Sequence, residues 1–341
     1  MTSPAATARQ AVRSRPRPRP RPSPGTAADW ETPDARRRLQ LALAALWLLD
    51  GVLQYQPFMF SKAFSRMLAG AAAGNPAVIA DPITWSARII AHHPTAANAA
   101  FATIQLALGL GIAWRRSARV ALAASIAWSL AVWWLGEGLG GVLTGGASPV
   151  SGAPGAVILY ALLAVLLWPA AGGGSGSFVA ARPVGARAAR AAWLVLWGSL
   201  AYFAVQAGNR TAQGLHDLIA AMAGGEPAWL ASIDQDAARA LAHHGLLASV
   251  VLSVVLAAIA VGIYLPAPAV RVAIAAALVV SAVIWVVGQD LGAILAGGAT
   301  DVNSGPLLML TALAYWPLSA GRPVRDGARV DPAGPVPGTA R

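Results

Sequence analysis

The sequence predicts an all-α polytopic membrane protein with eight transmembrane helices, arranged as two parallel four-helix repeats. The chain is 57% hydrophobic and only 11% charged, whereas soluble domains carry about 25% charged residues. Several apolar stretches approach the roughly 20 residues that cross a bilayer. The two halves also align with each other at an offset of 150 to 152 residues. Together these observations favour a duplicated membrane domain.

The internal repeat relates residues 40–169 to residues 190–317 almost without gaps. A period of this length excludes a solenoid and indicates a duplicated domain. The matched residues include Trp47 and Trp197, Trp133 and Trp285, His92-His93 and His243-His244, and the terminal pairs Trp168-Pro169 and Trp316-Pro317.

Five segments follow from this alignment and from composition. Prolines alternate with arginines from Arg15 to Pro22 and exclude a helix there, because proline removes a donor and restricts the residue before it. The predicted segments are a disordered cytoplasmic tail (1–36), a first four-helix repeat (37–169), a Gly/Ser-rich cytoplasmic linker (170–188), a second four-helix repeat (189–318) and a disordered cytoplasmic tail (319–341).

Each repeat is predicted to contain three longer spans and a short fourth span. In each copy an amphipathic segment follows the first span and is too polar to cross the membrane: 57–93 in the first copy and 208–243 in the second. The fourth spans are short, so either the preceding glycine hinge dips into the membrane or protein shields these helices. The longer spans are predicted near 38–56, 95–114 and 118–143 in the first copy, and near 190–207, 245–265 and 269–296 in the second.

Arginines set the predicted orientation. All of the following arginines fall on one side of the membrane: those in the two tails, in the 115–119 turn and in the linker, and Arg271. The positive-inside rule makes that side cytoplasmic. An even number of spans gives both copies the same direction. We therefore expect a multi-pass protein of a bacterial inner membrane with cytoplasmic N and C termini. The net charge of +11 is assigned to topology rather than to a nucleic-acid partner.

Cysteine is absent, which excludes disulfides, thiolate catalysis and cysteine-ligated metals. No phosphate-binding loop, hydrolase elbow, zinc-protease motif or dinucleotide fingerprint is present. The sequence therefore identifies no catalytic residue and favours a role other than a stand-alone enzyme.

Four polar residues at membrane depth are candidate site residues. Asp50 lies inside the first span, where a carboxylate is costly and is a functional candidate by default. Glu137, Gln289 and Asp290 recur near the outer ends of the third spans. They could serve as acid, base or cation ligands. The alternative is structural: hydrogen bonds between helices for Asp50, and to the glycine hinge for Glu137.

Histidine and glycine pairs give two further candidates. His92, His93, His243 and His244 end the amphipathic segments and could bind metal or haem across the repeat axis, or could simply cap the next helix. Small residues four apart let helices approach closely. Such packing is predicted for Gly136 and Gly140 and for Gly288 and Gly292.

The stretch from Gln105 to Arg119, an apolar glycine-containing helix followed by a basic turn, resembles the second span of the DoxX-like membrane family. The resemblance extends over both copies. It implies a subunit of a quinone-linked redox or oxidative-stress system, working with a membrane or periplasmic redox partner. Quinone would then be the cofactor, or haem if the histidine pairs bind it. It assigns no catalytic residue. Two other functions stay open: a small-solute or ion transporter with an outward-facing acidic cavity, and a membrane scaffold without chemistry.

Overall fold

The computed structural model describes residues 34–169 and 177–318. The residues within these two ranges form helices and turns, with no strand among them. Most of the two predicted tails, and residues 170–176 of the predicted linker, lie outside the described residues.

The helices follow one another in the same order in both halves. A long first helix is followed by two shorter helices, two long helices, a glycine-rich turn and a short helix. In the first half they are α1 (Ala35–Leu53), α2 (Lys62–Gly70), α3 (Ala77–His92), α4 (Pro94–Ala113), α5 (Ala118–Leu135) and α6 (Ala156–Leu166). A four-residue helix, α7 (Ala181–Val184), precedes α8 (Ala186–Ala204), α9 (Gly214–Met222), α10 (Ala228–Leu241), α11 (Gly245–Gly262), α12 (Ala267–Val283) and α13 (Ser304–Ala314).

Four helical segments of the described chain are long and apolar enough to cross a membrane: α4, α5, α11 and α12 with the π-helical turn that extends it to Gly288. Helices α1 and α8 have 19 residues each but carry arginines in their first turns, and α6 and α13 have only 11. The described helices thus contain four candidate spans, where the sequence predicts eight.

The outward faces of the long helices are apolar. Val250, Val254 and Val261 on α11 and Val272 and Val279 on α12 are all exposed. A soluble monomer rarely exposes a continuous apolar surface of this kind. The arrangement is compatible with an integral membrane protein whose helices face lipid.

The third predicted span ends earlier than expected in both halves. Helix α5 stops at Leu135, and α12 passes into a π-helical turn, Ile284–Gly288. Leu139 and Gly140 then have positive φ angles, as do Leu291 and Gly292. A left-handed backbone cannot continue a right-handed helix. The predictions of helix over 118–143 and 269–296 are therefore wrong beyond these turns.

The two short helices α6 and α13 pack against each other near the centre of the fold. Eight of the eleven residues of each helix are buried. Their surroundings are protein, so the shielding expected for short helices is present. The same core extends into the predicted linker, where Phe178 is buried and stacks on Tyr315 at 5.2 Å between ring centroids.

The contacts around the turns occur in matched pairs. The Trp133 indole donates to the carbonyl of Pro154 at 2.7 Å, and the Trp285 indole donates to that of Val302 at 2.9 Å. Each pair fastens the end of a long helix to the loop before the next short helix. Both loops also contact the opposite half: Gln56 Nε2 donates to Ala299 O, and Gln206 Oε1 accepts from Ala147 N.

Candidate functional site

A cavity of about 650 Å³ lies between the helices of the first half. Its walls come from α1 to α5, and the loop before α13 reaches it from the second half. Most of the lining is apolar or aromatic. Trp47, Trp85, Trp128, Phe64 and Phe101 supply the rings, and Met67, Leu68, Ile89, Ile90, Val132 and Leu135 are among the aliphatic side chains.

Acidic side chains stand at one end of this apolar chamber. Asp50, Glu137 and Asp301 all line it. Within the described part of the chain, neither this chamber nor the neighbouring cavity has a lysine, arginine or histidine in its wall. The acidic end therefore lacks a basic partner among the lining residues.

Asp50 is 1% exposed and holds two parts of the fold together. Its Oδ2 accepts from the hydroxyl of Tyr160 at 2.5 Å, and its Oδ1 accepts from the backbone N–H of Val302 at 3.1 Å. Tyr160 also packs on Trp47, with 4.0 Å between ring centroids. The predicted intramembrane candidate thus links α1 to α6 and to the loop before α13.

Glu137 lies in the turn beyond the end of α5. Its Oε1 accepts from the backbone N–H of Val157 at 3.2 Å in the first turn of α6, while Oε2 is buried without a hydrogen-bond partner. Burial, and next the charge of Asp301, raise the pKa of Glu137 to about 8; hydrogen bonds from the backbone of α6 act in the opposite direction. This carboxyl group can therefore exchange a proton near neutral pH.

Asp301 connects the chamber to a second cavity of about 350 Å³. Glu137, Thr300 and Asp301 line both cavities, and Ser151 and Asn303 add polar groups to the smaller one. The Asp301 carboxylate accepts from Thr300 Oγ1 at 2.8 Å and from Asn303 N at 2.7 Å. The site thus joins a large apolar chamber to a smaller polar cavity through a carboxyl-lined junction.

Several polar atoms of the chamber wall have no hydrogen-bond partner. Gln54 is 3% exposed, and its Nε2 donates to Thr300 O while its Oε1 is unpartnered. Gln105 Oε1 and Glu137 Oε2 are likewise buried acceptors without a donor. Trp128 Nε1 is a buried donor without an acceptor. Buried polar atoms are normally paired, so these four are available to a ligand.

The corresponding turn of the second half has different chemistry. Gln289 Oε1 accepts from Gly305 N at 3.1 Å, and its Nε2 donates to Ser304 Oγ at 2.8 Å. Asp290 and Asp234 are both fully buried, and their carboxyl oxygens have no hydrogen-bond partner outside this pair. Burial, and next the hydrogen bond and charge of Asp234, raise the pKa of Asp290 to about 8. A protonated Asp290 can donate to the neighbouring carboxyl group of Asp234.

The predicted glycine pairs lie at turns rather than along one helix face. Gly136 ends α5, and a Cβ on Gly140 would overlap the carbonyl of Pro154. Gly288 packs against Val150, and a Cβ on Gly292 would press against the carbonyl of Val302. These glycines therefore let backbone approach backbone at the turns.

The four predicted histidines are exposed at the ends of α3 and α10. His92 is the last residue of α3 and His93 follows it, while His243 and His244 lie between α10 and α11. His243 lies 3.4 Å from Gln213 Nε2. No group of three histidine or acidic side chains that could hold a metal is found within residues 34–169 and 177–318.

The structure brings Asp50 and Glu137 into one site and places Gln289 and Asp290 in the matching turn of the other half. Sequence reasoning missed Asp301, Tyr160 and Asp234. Asp301 lies in a polar loop, and Tyr160 is one residue in an apolar helix, so neither has a distinguishing local pattern. Asp234 could have been found, because it stands at the repeat position of the apolar Ile83.

No protein-family model, no curated protein and no solved structure matches this chain.

Proposed function

We propose that this chain is an integral membrane protein that binds a small amphiphilic solute in the chamber of its first half and passes it to the polar cavity. The chamber supports this proposal most directly. It offers about 650 Å³ of largely apolar space that ends in carboxyl groups. Ligand sites of comparable size combine apolar walls with a few placed polar groups in this way.

The proposal includes the predicted membrane layout. The chain would be a duplication of two like-oriented four-helix units, with crossing segments built on α1, α4, α5, α6, α8, α11, α12 and α13. Its termini would be cytoplasmic, in a bacterial inner membrane. The matched Trp133 and Trp285 hydrogen bonds and the reciprocal loop contacts of Gln56 and Gln206 support the duplication. Arginines near the starts of α1, α5 and α8 support the orientation.

The proposed route runs through the junction that Glu137 and Asp301 share. Both side chains line both cavities, so a solute leaving the chamber would pass their carboxyl groups. Asp50 fastens the loop that carries Asp301, through Val302 N. Transporter sites often lie at such interfaces between repeats, beside irregular backbone. The loop before α13 has that irregular backbone, with a positive φ at Asn303.

Purification tests the chamber. The full chain in mild detergent would be extracted and its bound small molecules compared by mass spectrometry with those of Ala131→Trp, which fills the chamber. Both Ala131 and Ala123 are exposed positions of α5, but only Ala131 lines the cavity. Ala123→Trp is therefore the matched control. We expect a compound present in the wild type and the control and absent from Ala131→Trp. Identical extracts from all three would contradict the proposal.

Flux tests the passage step. Proteoliposomes containing the full chain would be loaded with the recovered compound and its release followed. We expect Asp50→Asn to stay folded and lose most of the flux, because the amide replaces one acceptor oxygen with a donor. Unchanged flux in a folded Asp50→Asn protein would contradict the part assigned to Asp50, and absence of flux in the wild type would leave binding without transport.

A quinone-associated subunit of a redox or stress-response system is the second candidate, and the DoxX-like stretch suggests it. One observation favours it: the rings of Trp47, Trp85 and Trp128 surround a chamber that a quinone head group could enter. Carboxyl groups at its end could accept protons from a quinol. The same extract distinguishes the two functions. A quinone, seen by its ultraviolet change on reduction, or a copurifying oxidoreductase would favour the redox subunit.

A further inference from the structure

We infer that the solute is an amphiphilic amine bound in its protonated form. This inference rests on the proposed function, because it names the chemical class of solute for the same chamber. It is carried by the balance of charges and hydrogen-bonding atoms that the chamber presents.

The charges of the wall favour a cation. Asp50, Glu137 and Asp301 line the chamber, and no basic side chain stands among the described residues that line it. An anionic solute would gain no ion pair from these groups. A cation beside Glu137 would favour its ionised form over the neutral form that burial favours, and the resulting ion pair would lie in a mostly apolar space.

The unpartnered atoms favour a solute that donates hydrogen bonds. Gln54 Oε1, Gln105 Oε1 and Glu137 Oε2 are buried acceptors without a donor, while Trp128 Nε1 is the one fully buried donor of the described wall without an acceptor. A protonated amine offers up to three N–H donors and no acceptor. A quaternary ammonium ion offers none. A protonated amine can therefore pair with more of the unpartnered acceptors of the wall than a quaternary ammonium ion can.

The rings favour an apolar body beside the charge. Trp47, Trp85 and Trp128 line the same space as the carboxyl groups. Indole faces attract cations and also cover apolar surface. The solute would place its ammonium group near Glu137 and its hydrocarbon or aromatic part among the tryptophans.

Binding of a matched pair of probes tests the inference. The full chain in nonionic detergent would be titrated with 1-naphthylmethylamine and with 1-naphthalenemethanol, which has the same ring system and a neutral hydroxyl group. Equilibrium dialysis would measure both. We expect the amine to bind at least about tenfold more tightly than the alcohol, as one charge-assisted hydrogen bond in a desolvated site would give.

Two variants locate the preference. Glu137→Gln is expected to reduce the ratio of amine to alcohol affinity to near one, because the amide removes the carboxyl group that would pair with the ammonium ion. This variant should keep its fold, because Gln289 holds the start of α13 in the same way. Ala131→Trp should abolish binding of both probes, and Ala123→Trp should not.

The possible outcomes separate the two proposals. Equal affinities for amine and alcohol, both lost in Ala131→Trp, would overturn the amine inference and leave the chamber as a solute site. Failure of both probes to bind would also overturn the inference, and the extract comparison then decides the proposed function independently. A preference that survives in folded Glu137→Gln would overturn the assignment to this carboxyl group.

Discussion

The turn after α5 and the turn after α12 hold the next helix in the same way but with different groups. Glu137 Oε1 accepts from the N–H of Val157, and Gln289 Oε1 accepts from the N–H of Gly305. The amide of Gln289 uses its other end as a donor to Ser304, whereas Glu137 has a spare buried oxygen. Both side chains therefore hold the start of the next helix, but only the carboxyl group of Glu137 offers a second, unpartnered oxygen.

The acidic groups around the two turns are also placed differently. The first half has Asp50 where the second has Leu200, and the second has Asp234 where the first has Ile83. In the first half the acids line a cavity. Around the second turn, Asp234 and Asp290 are fully buried and face each other. Similar turns thus carry a set of carboxyl groups that lines a cavity in one half and a buried pair of carboxyl groups in the other.

The largest effect should come from the glycines that the two turns share. Gly140→Ala and Gly292→Ala each force a Cβ into backbone at a positive φ. We expect each to lower the free energy of unfolding by about 3 kcal/mol or more. Melting temperature in detergent is the measurement, and Gly198→Ala on α8, where a Cβ meets open space, is the control. A large loss in one turn only would show that the two turns are not equivalent.

Asp50→Leu gives position 50 the residue that the second half has at the matching position, Leu200. Tyr160 OH and Val302 N would both lose their acceptor. We expect a loss of about 2–4 kcal/mol in stability, because two buried donors are left without partners. Adding Tyr160→Phe should recover part of that loss, since one of the unpaired donors disappears. Strict additivity of the two substitutions would contradict the hydrogen bond as the source of the coupling.

Asp290→Asn should stabilise the second turn at alkaline pH. Burial and Asp234 raise the pKa of Asp290 above its unfolded value. The neutral acid is favoured in the folded state, so its contribution is present below the unfolded pKa and is lost as pH rises through about 8. The wild-type melting temperature should fall as pH rises from about 5 to about 8, and that of Asp290→Asn should fall less. Parallel pH profiles would contradict a protonated Asp290 in the folded state.

Glu137→Gln should have the smallest effect on stability, within about 1 kcal/mol, because an amide can accept the same backbone hydrogen bond. The same sign applies as for Asp290: the raised pKa of Glu137 makes its contribution disappear as pH rises through about 8. Melting curves at several pH values would measure both properties. A loss much larger than that of Asp50→Leu would assign Glu137 a mainly structural function.

The sequence predicted the architecture better than the site. Its long apolar stretches and matched residues predicted the helices α4, α5, α11 and α12. Glu137 and Gln289, each four residues after a matched Trp, marked both turns. The ends of α5 and α12 were misjudged, because apolar residues such as Leu139 and Leu143 continue past the last helical turn. Asp301 was missed, because its place beside Glu137 depends on a contact between halves 164 residues apart in the chain.

The charge preference of the chamber can be measured directly at a single introduced thiol. The chain has no cysteine, so Ala131→Cys introduces a single thiol into the chamber wall. In lipid nanodiscs, its rate of modification would be measured with cationic and anionic methanethiosulfonate reagents of similar size. Ser232→Cys, at an exposed position of α10, gives the reference rates for the two reagents.

We expect the cationic reagent to modify Ala131→Cys at least about tenfold faster than the anionic one, after correction by the reference, because the ionisable groups of the described lining are all acidic and such a cavity concentrates cations. Adding Glu137→Gln should reduce that preference. Equal rates for the two reagents, or a faster reaction with the anionic one, would contradict an acidic solute chamber in the first half.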